Sequence, residues 1–195
     1  MRLRVATTNP GKLREFREIL APRGFELAGI DDLAGLRLEE SGATFEENAV
    51  IKARAVCERS GEATVADDSG LEVDALHGAP GVHSARYAGV TGPEQDAANR
   101  RKLLAALASV PDGRRTARFV CALAYCAPRQ PPQIFRGTVA GRIGRTEHGS
   151  NGFGYDAIFV LAEHGRTVAQ LDSDSKNLIS HRGRALAQLV AFLSR

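Results

Sequence analysis

The stretch from Arg115 to Tyr125 does most to constrain the fold. Ala117, Phe119, Cys121, Leu123 and Tyr125 occupy every second position, the spacing that lines one face of a half-buried β-strand. A Pro-rich loop, Pro128 to Pro132, separates this strand from a second, Ile134 to Ile143. Together they read as a long antiparallel hairpin. Upstream of it strands and helices alternate. That order argues for an α/β fold in which a mixed β-sheet is flanked by helices. The expected architecture has two lobes with a central cleft.

The remaining elements follow from caps and breakers. Arg2 to Thr7 reads as a strand. Asn9 then caps a helix with Pro10 at its first position, and Pro22-Arg23-Gly24 stops it. Glu26 to Ile30 is a second strand, and Asp31 to Ala43 a polar loop. Thr44 and Glu47 have capping-box spacing, so a helix follows to about Arg59 and ends at Gly61. Thr64 to Asp67 is a strand carrying two aspartates at its end, and Leu71 to Ala75 alternates as a returning strand. Helices are expected from Pro93 to about Ser109 and from about Ser180 to Leu193. A glycine-rich loop spans Gly149 to Gly154, followed by a short strand, Asp156 to Leu161.

Composition narrows the class. A chain of 195 residues with 43% apolar and 25% charged residues is an ordinary globular protein of one domain or of one domain with two lobes. There is no apolar run of about 18 residues to span a membrane, and MRLRVATTNPGK is too briefly apolar for a signal peptide. Cys57, Cys121 and Cys126 contain no C-x-x-C pair, which argues against a disulfide framework and a zinc site. They read as small buried apolar residues in a protein of the reducing cytoplasm. The pI of 9.0 points to anionic partners. The basic residues are scattered, though, so a nucleic-acid footprint is weak and an anionic small molecule fits at least as well. Of 26 basic residues only Lys12, Lys52, Lys102 and Lys176 are lysines. Each is therefore suspect as a compact point charge of the kind phosphate contacts use.

Four segments are candidates for chemistry. Thr7-Thr8-Asn9-Pro10-Gly11-Lys12 is a strand-to-helix turn whose free N–H groups, hydroxyls and lysine suit phosphate, although it lacks P-loop spacing and is equally readable as a plain cap. Asp67-Asp68-Ser69, with Glu39-Glu40 and Glu46-Glu47-Asn48, offers the hard oxygen ligands of a divalent-metal site, or else a solvated turn and a solvated face. Ser150 to Asp156 combines glycines with Phe153 and Tyr155, an aromatic pair able to stack on a flat ring, or forms a flexible loop. Lys176 with Ser180-His181-Arg182 supplies donors for a keto oxygen or phosphate, or a capped helix start. A Ser69–His181–Asp68 nucleophile ranks low because no Gly-x-Ser-x-Gly elbow is present. His77, His83, His148 and His164 lack metal-ligand spacing.

In combination these segments are specific. TTNPGK, TFEENAVIKA, ADDSGLEVDALHGAPGVHSARYAG, GFGYDAIF and SHRGRAL occur in that order. From Thr7 to Leu189 the chain resembles the inosine triphosphatase family, the pyrophosphatases of noncanonical purine nucleoside triphosphates (XTP, ITP and dITP). The resemblance implies a homodimeric two-lobed enzyme with an elongated sheet and its active site in the cleft. It also implies Mg²⁺ and cleavage between the α- and β-phosphates to give monophosphate and pyrophosphate. By motif, Thr7, Thr8, Asn9, Pro10, Gly11 and Lys12 would hold the triphosphate. Glu40 and Asp68 would bind Mg²⁺, Asp68 would take the proton of the attacking water, and Ser69 would touch the substrate. Phe153, Gly154, Tyr155, Asp156, Lys176, His181 and Arg182 would bind the base. Ala157 stands where a proline is common and Ser175 where a glutamate is common; both bear on loop geometry only. A 6-keto purine accepts hydrogen bonds where adenine donates them, so donors in the pocket favour hypoxanthine and xanthine. Two rivals are a pyrophosphatase of modified pyrimidine nucleotides, which expects Ser and paired Arg where Asn9 and Lys12 stand, and a nucleic-acid-binding module.

Overall fold

The computed structural model describes residues 1–36 and 38–194. Six strands and five α-helices are assigned in order: β1 (Arg2–Val5), α1 (Pro10–Leu20), β2 (Glu26–Ala28), α2 (Phe45–Ser60), β3 (Thr64–Val73), α3 (Gln95–Ala106), β4 (Thr116–Cys126), β5 (Gln133–Ile143), β6 (Phe159–Leu161), α4 (Ser173–Ile179) and α5 (His181–Leu193). The sheet order is β2-β1-β3-β4-β5-β6. It is mixed, as expected: β1 runs parallel to β2 and β3, while β5 and β6 are antiparallel. The hairpin is present. Residues 127–132 join β4 to β5, and the Ile143 N–H donates to the Arg115 carbonyl at the far end.

The chain forms two compact units. One comprises 1–68, 121–137 and 181–195, the other 69–120 and 138–180. Each has its own core. In the first, Leu3, Val5, Phe16, Leu20, Val65, Cys121, Leu123, Leu186 and Leu189 pack together. In the second, Leu71, Val73, Leu103, Leu107, Phe119, Ile143, Ile158 and Phe159 do so. The alternating residues of β4 thus divide between the cores, Ala117 and Phe119 to the second and Cys121, Leu123 and Tyr125 to the first. β4 is more than half-buried: from Phe119 to Cys126 every residue is buried. Of the intervening positions Val120, Ala122 and Ala124, two are small, so burial on both faces leaves the alternating signal largely intact.

The helix signals in the sequence act as read. Asn9, in extended conformation, accepts the Lys12 N–H at 3.0 Å, with Pro10 in the first turn. Thr44 and Glu47 form a reciprocal capping box, and Gly61 ends α2 at φ 69°. Arg115 is 1% exposed and gives its donors to the carbonyls of Leu107, Ile143 and Gly144 at 2.6 to 2.8 Å. Three charge-assisted hydrogen bonds thereby tie the end of α3 to the end of β5.

Three expectations change. Asp67 and Asp68 do not end a strand, and Leu71–Ala75 is not a returning one. A single ten-residue strand, β3, runs from Thr64 to Val73. β3 lies between β1, which pairs with its first residues Thr64 and Val65, and β4, and pairing in the sheet outweighs the local turn propensity of Ser69-Gly70. α3 stops at Ala106, after which the Ala108 and Val110 N–H groups bond three residues back, to Ala105 and Leu107, as turns. β6 begins only at Phe159, since Asp156 and Ile158 donate to Phe153 and Tyr155 in a turn. The loop expected over 31–43 has no helix or strand among its described residues; position 37 lies outside them.

Candidate active site

β3 carries the first centre. Successive side chains of a strand point to opposite faces, so Asp67 and Asp68 do not share a site. Their direct ion-pair partners differ, although Lys12 and Lys52 act on both. The carboxylate of Asp67 accepts from Arg182 Nε and Nη2 at 3.1 and 2.8 Å and lies 3.2 Å from Lys12 Nζ. Arg182 Nη1 also donates to Glu15. Burial alone would raise Asp67, which is 1% exposed. Arg182, Lys12 and Lys52 outweigh that effect and hold the carboxyl well below its usual range.

Asp68 faces α2. Lys52 Nζ donates to its Oδ1 at 2.7 Å and Asn48 Nδ2 to its Oδ2 at 3.3 Å. Asn48 and Lys52 are one turn apart on α2, so both reach the same carboxylate. The Asn48 amide is fully buried and its Oδ1 accepts the Gly42 N–H at 2.8 Å. That bond turns the amino group toward Asp68. Gly42 has to be glycine, because a Cβ there would collide with Glu47 Cβ. Lys52 Nζ also donates to Glu40 Oε1 at 2.9 Å. Burial pushes the Asp68 carboxyl up; Lys52 offsets part of this and Glu40 adds to it. Burial works against the Lys52 ammonium, but Asp68, Asp67 and Glu40 keep it charged.

The two expected metal ligands therefore converge on one cation, the Lys52 ammonium, 2.9 Å from Glu40 and 2.7 Å from Asp68. Two carboxylates of this kind suit Mg²⁺, which takes one or two of them and fills its shell with phosphate oxygens and water. Among the described residues no three His, Cys, Asp or Glu gather into a self-sufficient metal cage.

The Thr7–Lys12 turn lies against the same strand. Val5 of β1 pairs with Val65, and the Ala6 N–H donates to the Val65 carbonyl at 2.8 Å. The chain thus leaves β1 beside Asp67, at the carboxyl end of a parallel strand, where open α/β sheets place ligands. Thr8, Asn9 and Pro10 are exposed, and Thr7 and Lys12 partly so. Thr7 Oγ1 accepts the Asn9 N–H at 3.1 Å. Gly11 is buried in α1, and Ser69 follows Asp68 on β3.

The second centre lies in the other unit. Lys176 of α4 donates to Asp156 Oδ2 at 2.7 Å, and the Phe153 N–H donates to the same oxygen at 3.0 Å. Lys176 Nζ sits 4.8 Å from the centre of the Phe153 ring, within cation–π range. Gly152, at φ +77°, makes this close packing possible. A Cβ there would strike the Asp156 carboxylate and lie 3.2 Å from Lys176 Nζ. Tyr155 corrects the expectation of a stacking pair. It is buried in the second core with its hydroxyl donating to the Ser84 carbonyl at 2.8 Å, which leaves Phe153 as the partly exposed ring. Ser175 serves the cap of α4, donating its N–H and Oγ–H to Asp172. Neither it nor Ala157 disturbs the Asp156–Lys176 pair.

His181 and Arg182 open α5 in the first unit. Arg182, expected among the base contacts, is 1% exposed and bonds to Asp67 and Glu15. Glu15 has no reading from sequence, Asn48 reads only as part of the Glu46-Glu47-Asn48 run, and Lys52 only as a candidate phosphate contact. The scarcity of lysine was the signal for Lys52: Lys12, Lys52 and Lys176 each contact an aspartate of a candidate segment, and Lys102 lies over the Tyr87 ring. Cys57, Cys121 and Cys126 are free and buried, and burial pushes the Cys121 thiol up to about 12.

A mixed α/β sheet, buried carboxylate–lysine contacts and an exposed strand-to-helix turn make this an α/β protein with charge-balanced acidic centres. The particular family follows from comparison. The model of the Ham1 family matches residues 3–192, and the chain belongs to that family. It is 48% identical over 192 residues to the dITP/XTP pyrophosphatase of Bacillus licheniformis, covering 98% of this chain and 97% of that one. It is 52% identical over 187 residues to that of Symbiobacterium thermophilum, covering 96% and 92%. A Ham1 protein structure from Coxiella burnetii superposes with a TM-score of 0.89 at 42% identity, covering 100% of this chain and 98% of that one.

Proposed function

We propose that this chain hydrolyses noncanonical purine nucleoside triphosphates, XTP, ITP and dITP, to the monophosphate and pyrophosphate, clearing deaminated purines from the nucleotide pool. Relatives that match over nearly their whole length are named dITP/XTP pyrophosphatases, which supports this reading. The observation that carries the mechanism is the buried Asp68, held by Asn48 and Lys52 within one shared cation site with Glu40.

The residues divide the work. Thr7 to Lys12 take the triphosphate through hydroxyls, α1 N–H groups and the Lys12 ammonium. Asp68, raised by burial, accepts the proton of the attacking water on a carboxylate oxygen. Lys52 keeps that carboxylate oriented, and Ser69 adjoins it. Glu40 and Asp68 would hold Mg²⁺, which when bound supplies charge neutralisation to the phosphates. Phe153 stacks on the base, Gly154 shapes its loop, and Tyr155 anchors that loop in the core. Asp156 and Lys176 read the base edge. Arg182 acts by holding Asp67 and Glu15 in place, and His181 beside it is a further hydrogen-bond donor for the substrate. A pocket that donates to the 6-keto oxygen leaves a donor unpaired against adenine. The protein works as a homodimer in the cytoplasm, a reading supported by the family resemblance and, for the compartment, by three free thiols. Among the described residues no helix is long and apolar enough to cross a membrane.

Phosphorus NMR of an ITP reaction checks the chemistry. The expected products are IMP and pyrophosphate, with EDTA stopping the reaction and Mg²⁺ restoring it. Formation of IDP and phosphate would place the cut at the wrong bond, and turnover in EDTA would remove the metal from Glu40 and Asp68.

A further inference from the structure

We infer that Asp96 and Arg100 of α3 are positioning residues for base selection, fixing the backbone of the loop that carries Phe153 and Asp156. This rests on the proposed base-reading role of that loop. The Gly154 N–H donates to Asp96 Oδ2 at 2.7 Å, and Arg100 Nη1 donates to the Gly154 carbonyl at 2.9 Å. The N–H belongs to the peptide joining Phe153 to Gly154, and the carbonyl to the next peptide. Two side chains one turn apart therefore fix both peptide planes that flank Gly154.

Gly154 is where such restraint matters. Its φ is +60° and the space where a Cβ would lie is open, so no side-chain packing fixes its conformation. Glycine moves readily between conformations, and rotation there would shift the Phe153 ring and the Phe153 N–H that Asp156 accepts. The same helix steadies the neighbouring segment. Asn99, 2% exposed, donates to the carbonyls of Ser84 and Ala85 and accepts the Ala88 N–H at 2.7 Å. Tyr155 donates to that Ser84 carbonyl at 2.8 Å, bracing the loop from its other side. Arg100 is itself held by Glu147 at 3.0 Å. Asp96 also lies in the first turn of α3, where an acid favours the helix, so the test must separate loop positioning from helix stability.

The experiment measures kcat and KM for ITP and ATP, with melting temperature, in wild type, Asp96→Ala, Asp96→Asn, Arg100→Met and Asp156→Asn. Loss of a charged hydrogen bond predicts about a tenfold rise in KM for ITP in Asp96→Ala and Arg100→Met, with kcat within about twofold and a lower ITP-to-ATP ratio of kcat/KM. Asp96→Asn keeps an acceptor and restores most of that ratio. Simple destabilisation lowers kcat for both substrates alike and leaves the ratio unchanged. An unchanged ratio in Asp96→Ala and Arg100→Met, with Asp156→Asn impaired, overturns the inference alone. An unchanged ratio in Asp156→Asn removes the base-reading role of the loop, and the inference with it.

Discussion

Asp68→Asn is expected to lower kcat for ITP hydrolysis by about a thousandfold, the scale of a lost general base, while the protein still folds. An amide cannot take up the proton of the attacking water, and it removes one of the two charges that would bind the metal. Both oxygens of Asp68 accept hydrogen bonds, from Lys52 and Asn48. An asparagine offers a single acceptor, so one donor loses its partner, at about 1–3 kcal/mol. Part of that is returned, because burial opposes the charge on Asp68. A circular-dichroism melt within a few degrees of wild type should therefore accompany the loss of turnover. A fully active Asp68→Asn protein would sink the mechanism.

The largest stability effect is expected at Arg182. Arg182→Met takes the guanidinium away from Asp67 and Glu15, both buried. Removing one partner of a buried ion pair leaves charge without its counterpart and costs about 3–5 kcal/mol. In a domain of this size that corresponds to a melting temperature lower by about 10 °C. Arg182→Lys should recover only part, since an ammonium cannot present the planar fork that reaches two carboxylates. Melting temperatures within a degree or two of wild type in both variants would show that the triad contributes little to folding.

Local features of the fold were legible and long-range ones were not. The cap at Asn9, the capping box at Thr44 and the β4–β5 hairpin are written in neighbouring residues and formed as read. The continuity of β3 was hidden because Ser69-Gly70 looks like a turn until the strand takes its place in the sheet beside β4. Helix α4, seven residues long, is too short to display a period.

The candidate site shows the same division. DDSG announced carboxylates, but their partners come from far along the chain. Arg182 is 115 residues from Asp67 and 167 from Glu15, and no local pattern links them. Asn48 sat inside a run that read as a solvated face, yet its amide is the fully buried link between Gly42 and Asp68. Tyr155 looked like a stacking ring because aromatic side chains in a glycine-rich loop carry no label for inside or outside. The use of lysine was the better guide, since in this arginine-rich chain three of the four lysines went to site aspartates.

The most direct test of the whole account is pyrophosphate release with Mg²⁺ from ITP, XTP, dITP, GTP, ATP and dTTP, side by side. Strong release from the first three with little from ATP is the predicted result, and GTP, which also carries a 6-keto oxygen, can be set apart only at its 2-position. Equal release across the panel would contradict selection of the base by the Asp156–Lys176 centre, and no release from any would contradict the assignment of Asp68 as the group that activates water.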